Sequence, residues 1–318
     1  MDPYGEASAK LHAAGTATGH SGAKAAGPSK KGESRIRRWQ IGDVTITRFV
    51  ELETVSKGTF VLPEATLENI KREVRHLMPH FAQEDGRLRM SIHALLVESQ
   101  GRRIIVDTCL GNDKRRDSPA WNMLHTSFLS DLEKGGFPRE SIDNVLCTHL
   151  HVDHVGWNTM LVDGRWIPTF ANARYLMGRV EWDHWSVQED RFTRDPIDDS
   201  VRPIVDAGLA EMVEPGYRIS DEVWLESTPG HTPGHFSVRI SSRGAEAVIT
   251  GDLMHHPVQF IHPEWNCGFD WHQEMACKTR REFIERYGDT QVLVFGTHFA
   301  TPSAGHIVRE QGGWRFRV

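Results

Sequence analysis

Apolar side chains recur along this chain at two spacings. Short alternating or continuous apolar runs predict strands: VTITRFVE (44–51), HALLVES (93–99), RRIIVDT (102–108), NVLCT (144–148), RYLMG (174–178), EVWLES (222–227), FSVRIS (236–241), EAVIT (246–250) and QVLVFG (291–296). Helical spacing appears between some of them. PEATLENIKREVRHL (63–77) opens with proline and an acidic first turn, which suits a helix start. AWNMLHTSFLSDLEKGG (120–136) stops at Gly-Gly, and QEMACKTRREFIERYG (273–288) stops at glycine. The pattern predicts one mixed α/β domain over 36–318, with no short-period repeat. Residues 1–35, rich in Ala, Gly, Ser and Lys, lack the large apolar side chains needed to offset their ordering entropy. They are expected to be a disordered tail.

Composition changes this picture little. Of 318 residues, 39% are hydrophobic and the net charge is −6, which argues against a nucleic-acid partner needing a basic face. No run approaches the 18 apolar residues of a membrane span. The four cysteines, Cys109, Cys147, Cys267 and Cys277, form no C-x-x-C pair and predict reduced thiols. Arg37-Arg38 is followed by an alternating strand rather than the apolar run of an export signal, so a cytoplasmic location is expected.

The 18 histidines do change the picture. Four segments share one layout, a short strand followed by a polar turn carrying His or Asp. NVLCT leads to His149, His151, Asp153 and His154; EVWLEST leads to His231; EAVIT leads to Asp252; QVLVFG leads to His298. Turns at strand ends can bring such side chains together on a rigid sheet. His149 and His151, two apart, face the same way in extended chain, while Asp153 and His154 follow the turn and can serve a second locus. Imidazole and carboxylate suit zinc, and also iron or manganese. A lone histidine on a loop is usually a surface or satisfied core group. Four ligand-type residues within six positions are not explained that way.

These motifs, with TPGHTPGH (228–235), ITGD (249–252) and FGTH (295–298), resemble the metallo-β-lactamase-fold hydrolases over roughly 40–315. The chain is most similar to the branch holding methyl parathion hydrolase and the N-acyl-homoserine lactonases. The resemblance implies an αββα sandwich of two mixed β-sheets flanked by helices, with metals at one edge. It implies that His149, His151 and His231 hold one zinc, Asp153, His154 and His298 a second, and Asp252 bridges them. Asp107 resembles the family's buried aspartate behind the ligands, and His235 reads as structural. The lactonases carry a tyrosine three residues after the bridging aspartate; this chain has His255, which puts strict homoserine-lactonase activity in question. The branch also points to a homodimer.

The expected chemistry is that of a dinuclear zinc hydrolase. Two zinc ions lower the pKa of a shared water toward about 7, generating a bridging hydroxide, and their residual positive charge stabilises an oxyanion. Asp153 and Asp252 are expected to take part, Asp153 as a proton acceptor, with His255 orienting substrate or protonating the leaving group. Trp157, Phe260, Trp265, Phe269 and Trp271 lie near these segments in sequence and are expected to line an apolar pocket. A small apolar lactone, carboxyl ester or organophosphate ester fits best, with no nucleic-acid or membrane partner. A glyoxalase II-like thioesterase or a β-lactamase-type amidase is the alternative. A non-catalytic metal-binding protein is a remote one, because such a protein would normally have lost a ligand.

Overall fold

The computed structural model describes residues 36–310 and 312–318. The expected disordered tail, residues 1–35, lies outside them. Two sheets form the frame. The first has seven strands: β1 (Ile36–Ile41), β2 (Val44–Ser56), β3 (Leu88–Ser99), β4 (Arg102–Val106), β5 (Asn144–Leu146) and, beyond a separate ribbon of β6 (Thr159–Val162) and β7 (Arg165–Pro168), β8 (Arg174–Gly178) and β9 (Ala210–Val213). The second runs β10 (Val223–Ser227), β11 (Phe236–Ser242), β12 (Ala245–Ile249), β13 (Leu293–Phe295), β14 (Ala304–Glu310) and β15 (Gly313–Arg317). Each mixes hairpins with parallel steps, β4–β5–β8–β9 in the first and β12–β13 in the second.

Side chains alternate between two cores, so the strands are apolar on both faces. Leu95, Val97, Ile104, Val106 and Leu146 meet Leu225, Val238, Ala247, Ile249 and Phe295 between the sheets. The intervening Ala94, Leu96, Ile105 and Val145 face outward, beneath the helices on the first sheet's far side. Val248, Val294, Ile307 and Phe316 do the same on the second sheet. Fully burying each such aliphatic side chain stabilises the fold by about 1.5–3 kcal/mol. This is the αββα sandwich that the resemblance implies, with helices outside both sheets.

The helices are α1 (Leu67–Leu77), α2 (Phe128–Lys134), α3 (Val152–Val155), α4 (Arg179–Trp185), α5 (Arg191–Pro196), α6 (Arg202–Asp206), α7 (Val258–Ile261) and α8 (Gln273–Tyr287). A π-helical turn, Ile197–Val201, joins α5 to α6. Two expected helices are shorter than their patterns. In α1 the hydroxyl of Thr66, not Pro63, caps the first turn by accepting from Asn69 N. The 120–136 helix begins only at Phe128, because the side chain of Asn112 holds both N and O of Thr126 and leaves neither for a helix. The pattern missed β1, β6, β7, β9, β14 and β15. Among the described residues, no helix is long and apolar enough to cross a membrane.

Candidate metal centre

Turns following β4, β5, β10, β12 and β13 meet at one edge of the sandwich and bring seven predicted side chains together. The candidate ligand atoms of His149, His151 and His231 form one group, and those of Asp153, His154 and His298 another, each within 4.8 Å. Asp252 stands between them. Its Oδ2 lies 3.8 Å from His149 Nε2, 3.5 Å from His231 Nε2 and 3.2 Å from His154 Nε2, and its Oδ1 lies 3.1 Å from His298 Nε2. Across the first group, His231 Nε2 is 3.0 Å from His151 Nδ1. Only His151 and Asp153 among the seven are partly exposed, so the cluster opens on their side.

Several rings are aimed from behind. Asp107 Oδ2 is 2.9 Å from His154 Nδ1, and the same carboxylate accepts from Thr148 N and Thr148 Oγ1 at 2.8 and 2.9 Å. Thr148 Oγ1 in turn lies 3.1 Å from His149 Nδ1. Asp107 holds this post with φ +57°, a left-handed backbone tolerated best by Asp, Asn and Gly. His298 Nδ1 donates to Ser91 O at 3.1 Å. His235, as expected, does not join either group: its Nε2 accepts from Asp252 N at 2.8 Å while Thr228 holds its Nδ1. Gly251 makes that contact feasible, because a Cβ there would lie 2.5 Å from His235 Nε2, and its φ is +57°.

The donor chemistry fits a divalent cation. With no metal bound, burial drives His151 down to about 4 and His149 and His231 well below the usual imidazole range, so these rings are neutral ligands at pH 7. Burial opposes charge on Asp252 as well, yet His154, His298 and His255 around it hold its carboxyl well below the normal range. His149 Nε2 and His154 Nε2 are buried without a hydrogen-bond partner. Buried polar atoms without partners are rare, and these converge on one carboxylate, as metal ligands do.

A search with protein-family models matches residues 88–293 to the metallo-β-lactamase superfamily. The chain belongs to this superfamily. It is a metal-dependent hydrolase with lactonases among its relatives. An N-acyl homoserine lactonase from Bacillus sp. is 25% identical over 224 residues, covering 66% of this chain and 82% of its own. The solved structure of AidC, a dizinc quorum-quenching lactonase in complex with a product, superposes with a TM-score of 0.72 at 20% identity, covering 88% of this chain and 96% of AidC. The hydrolase AbOPH, also of the β-lactamase superfamily, reaches 0.74 at 25% identity, covering 90% and 98%.

Three supports of this metallo-β-lactamase site escaped the sequence. Asp270 Oδ1 lies 2.9 Å from His231 Nδ1, and its Oδ2 accepts from Cys267 N; burial pushes its carboxyl up to about 6. Ser91 meets His298 through backbone groups alone, its O accepting from Nδ1 and its N donating to His298 O at 3.0 Å. Glu181, fully buried, accepts from Leu150 N between two of the histidines, from Gly234 N beyond His231, and from Trp185 Nε1, whose ring packs on His151. A lone acidic residue in FDWH or RVEW carries no local signal of such a role. His255, by contrast, is in the site: its Nε2 is 3.2 Å from Asp252 Oδ2, its ring stacks on His298, and its Nδ1 is buried without a partner.

The expected apolar pocket is placed differently. Trp157, Phe260 and Trp265 are buried in the two outer cores, because helical and 3₁₀ turns rotate them away from the cluster. Trp271 donates its backbone N to His231 O at 2.9 Å. A narrow surface cleft is walled by Phe60, Trp121, Val152 and Pro196. Phe269 packs edge-on against Phe60 of that wall, with ring centroids 5.4 Å apart. Val152, between His151 and Asp153 in sequence, is the one residue of the 149–154 stretch that lines this cleft.

Proposed function

We propose that this chain hydrolyses a lactone or carboxyl ester at a two-zinc centre held by His149, His151 and His231 on one side and Asp153, His154 and His298 on the other, with Asp252 shared. Support comes above all from one observation: six ligand groups form two triads about a single buried carboxylate. A zinc pair supplies Lewis acidity, polarising a carbonyl oxygen and lowering the pKa of water toward about 7. The protein's part is orientation and proton handling. Asp107 and Asp270 each hold an imidazole by Nδ1 and so keep its Nε2 lone pair facing the centre. Asp153, partly exposed at the open side of the cluster, accepts a proton at Oδ. His255, with its free Nδ1, is assigned the leaving-group side. The cleft of Phe60, Trp121 and Pro196 excludes water from an apolar substrate.

The lactonase relatives favour a cyclic ester as substrate. Purified protein is expected to carry about two zinc ions per chain, to lose turnover on chelation, and to regain it with zinc. A panel of lactones, aryl esters, thioesters, phosphotriesters and β-lactams identifies the bond cleaved. Asp252→Ala is expected to lower metal content and turnover together. Full metal content and rate in that variant would contradict the bridging assignment.

A further inference from the structure

The centre has a sulfur neighbour that neither zinc position uses. One ring nitrogen each of His231 and His255 and the Sγ of Cys267 lie within 4.8 Å of one another, and all three side chains are buried. Asp252 Oδ2, 3.2 Å from His255 Nε2 and 3.5 Å from His231 Nε2, stands beside them as an oxygen donor. A buried free cysteine is ordinarily a small apolar filler, and Cys109 and Cys147 fill that role among the apolar side chains of the first outer core. Cys267 lies against imidazoles instead.

The carboxylate that aims His231 also fixes Cys267. The cysteine is in the loop between α7 and α8. Asp270 holds His231 Nδ1 through Oδ1 and Cys267 N through Oδ2, each at 2.9 Å, so one group sets imidazole and thiol relative to each other. Asp270 N closes the turn on Cys267 O at 3.1 Å, Gly268 N donates to Val61 O at 2.9 Å, and Trp271 N ties the loop to His231 O. Phe269 N donates to Cys267 Sγ at 3.4 Å, a contact that favours negative charge on sulfur. His255 Nδ1 is buried without a hydrogen-bond partner, so no acceptor pins the ring proton to that nitrogen.

We infer that His231, His255 and Cys267 form a third locus, for a soft, thiophilic cation, and that filling it shuts the zinc centre down. The two zinc positions offer only nitrogen and oxygen, whereas this locus adds a thiolate, which selects ions such as Cu⁺ or Cd²⁺. The thiol gives up its proton to solvent as the sulfur–metal bond forms. His231 belongs to two sets at once. With Nδ1 held by Asp270 it has one nitrogen to give, so a cation held with Cys267 takes that ligand from the first zinc. It also takes His255 from the leaving-group side. The loss of turnover rests on the hydrolase reading above; the binding does not.

Zinc-loaded protein is titrated with cadmium chloride while ultraviolet absorption and turnover of a lactone are followed together. Cadmium in the zinc positions meets only nitrogen and oxygen, so a sulfur-to-cadmium charge-transfer band reports a cysteine ligand. Wild type is expected to gain the band and lose turnover over the same cadmium range. Cys267→Ser is expected to lack the band. It should also need at least about tenfold more cadmium to halve its own cadmium-free rate, the smallest loss usual when even an outer partner of a metal ligand is removed. Cys267→Ala serves if the serine variant fails to fold. Cys277→Ser, which removes the partly exposed thiol, is expected to keep both effects. No band in wild type, or a band that survives the loss of Cys267, overturns the inference, and full turnover with the band developed overturns the competition for His231. A band that depends on Cys267 in a protein that hydrolyses no ester leaves the locus standing and removes the hydrolase reading. Hydrolysis without the band does the reverse.

Discussion

Replacing Asp107 by asparagine reverses one hydrogen bond at an otherwise unchanged site. The amide is isosteric with the carboxylate and tolerates φ +57° equally well, so the backbone has no reason to move. Asn Oδ1 still accepts from Thr148 N, and the Thr148 hydroxyl can rotate to accept instead of donate. His154 has no such freedom. Its Nδ1 faces the carboxylate oxygen at 2.9 Å, and in the variant it would face an NH₂ group. Nδ1 must then accept, which moves the ring proton to Nε2, the nitrogen 3.2 Å from Asp252. A protonated Nε2 has no lone pair for a metal. Restoring the ligating tautomer sets N–H against N–H and leaves a buried donor unpaired, at about 1–3 kcal/mol. The same range, about ten- to a hundredfold in affinity, is usual when a metal-bound histidine loses its outer partner. Zinc content measured after dialysis against graded chelator is expected to show one locus weakened by that factor and the other unchanged. Two loci of wild-type affinity would refute the reasoning.

Glu181→Ala leaves the N–H groups of Leu150, Gly234 and Trp185 buried without their acceptor, and urea melts are expected to show a loss of about 3 kcal/mol or more. Gly251→Ala combines left-handed strain with a Cβ 2.5 Å from His235 Nε2, so a loss of about 2–4 kcal/mol is expected in the same melts. Gly101→Ala, at φ +76° with open space around it, should show the backbone strain alone, about 1–2 kcal/mol. Burial lowers Lys114 from 10.5 to about 8 despite Asp199, so between pH 8 and 10.5 the unfolded chain holds a proton that the folded chain does not. Stability measured by urea unfolding should therefore rise through that window by about 3 kcal/mol, and Lys114→Met should remove the rise.

How much of this could be read from the chain varies with distance along it. THLHVDHVG was legible because four ligand-type side chains sit within six positions, and the strand-then-turn layout then drew in His231, Asp252 and His298. The supports were not legible. Asp270 lies 39 positions from the histidine it holds, and Ser91 acts through a carbonyl that every residue possesses. The aromatic residues mislead for a related reason. Trp157, Phe260 and Trp265 are near the cluster in sequence, but the turns after each strand rotate them into the cores. Phe60 and Trp121, which wall the cleft, come from loops remote from it in sequence. The missed strands, such as AGHIVRE and GWRFR, mix glycine and charge with their apolar positions, and their pairing is decided by the neighbouring strand.

The first sheet is built only from residues before 214 and the second only from residues after 222. His149, His151, Asp153 and His154 belong to the first half, while His231, Asp252 and His298 belong to the second. A cation shared between them would act as a rivet through two plates: each half of the chain presents an incomplete socket, and closing it fastens one sheet to the other. The chemistry at that edge and the cohesion of the sandwich would then stand or fall with the same bonds. A version cut in the exposed loop near Gly216 would be a pair of pieces held together by their shared core and by that rivet.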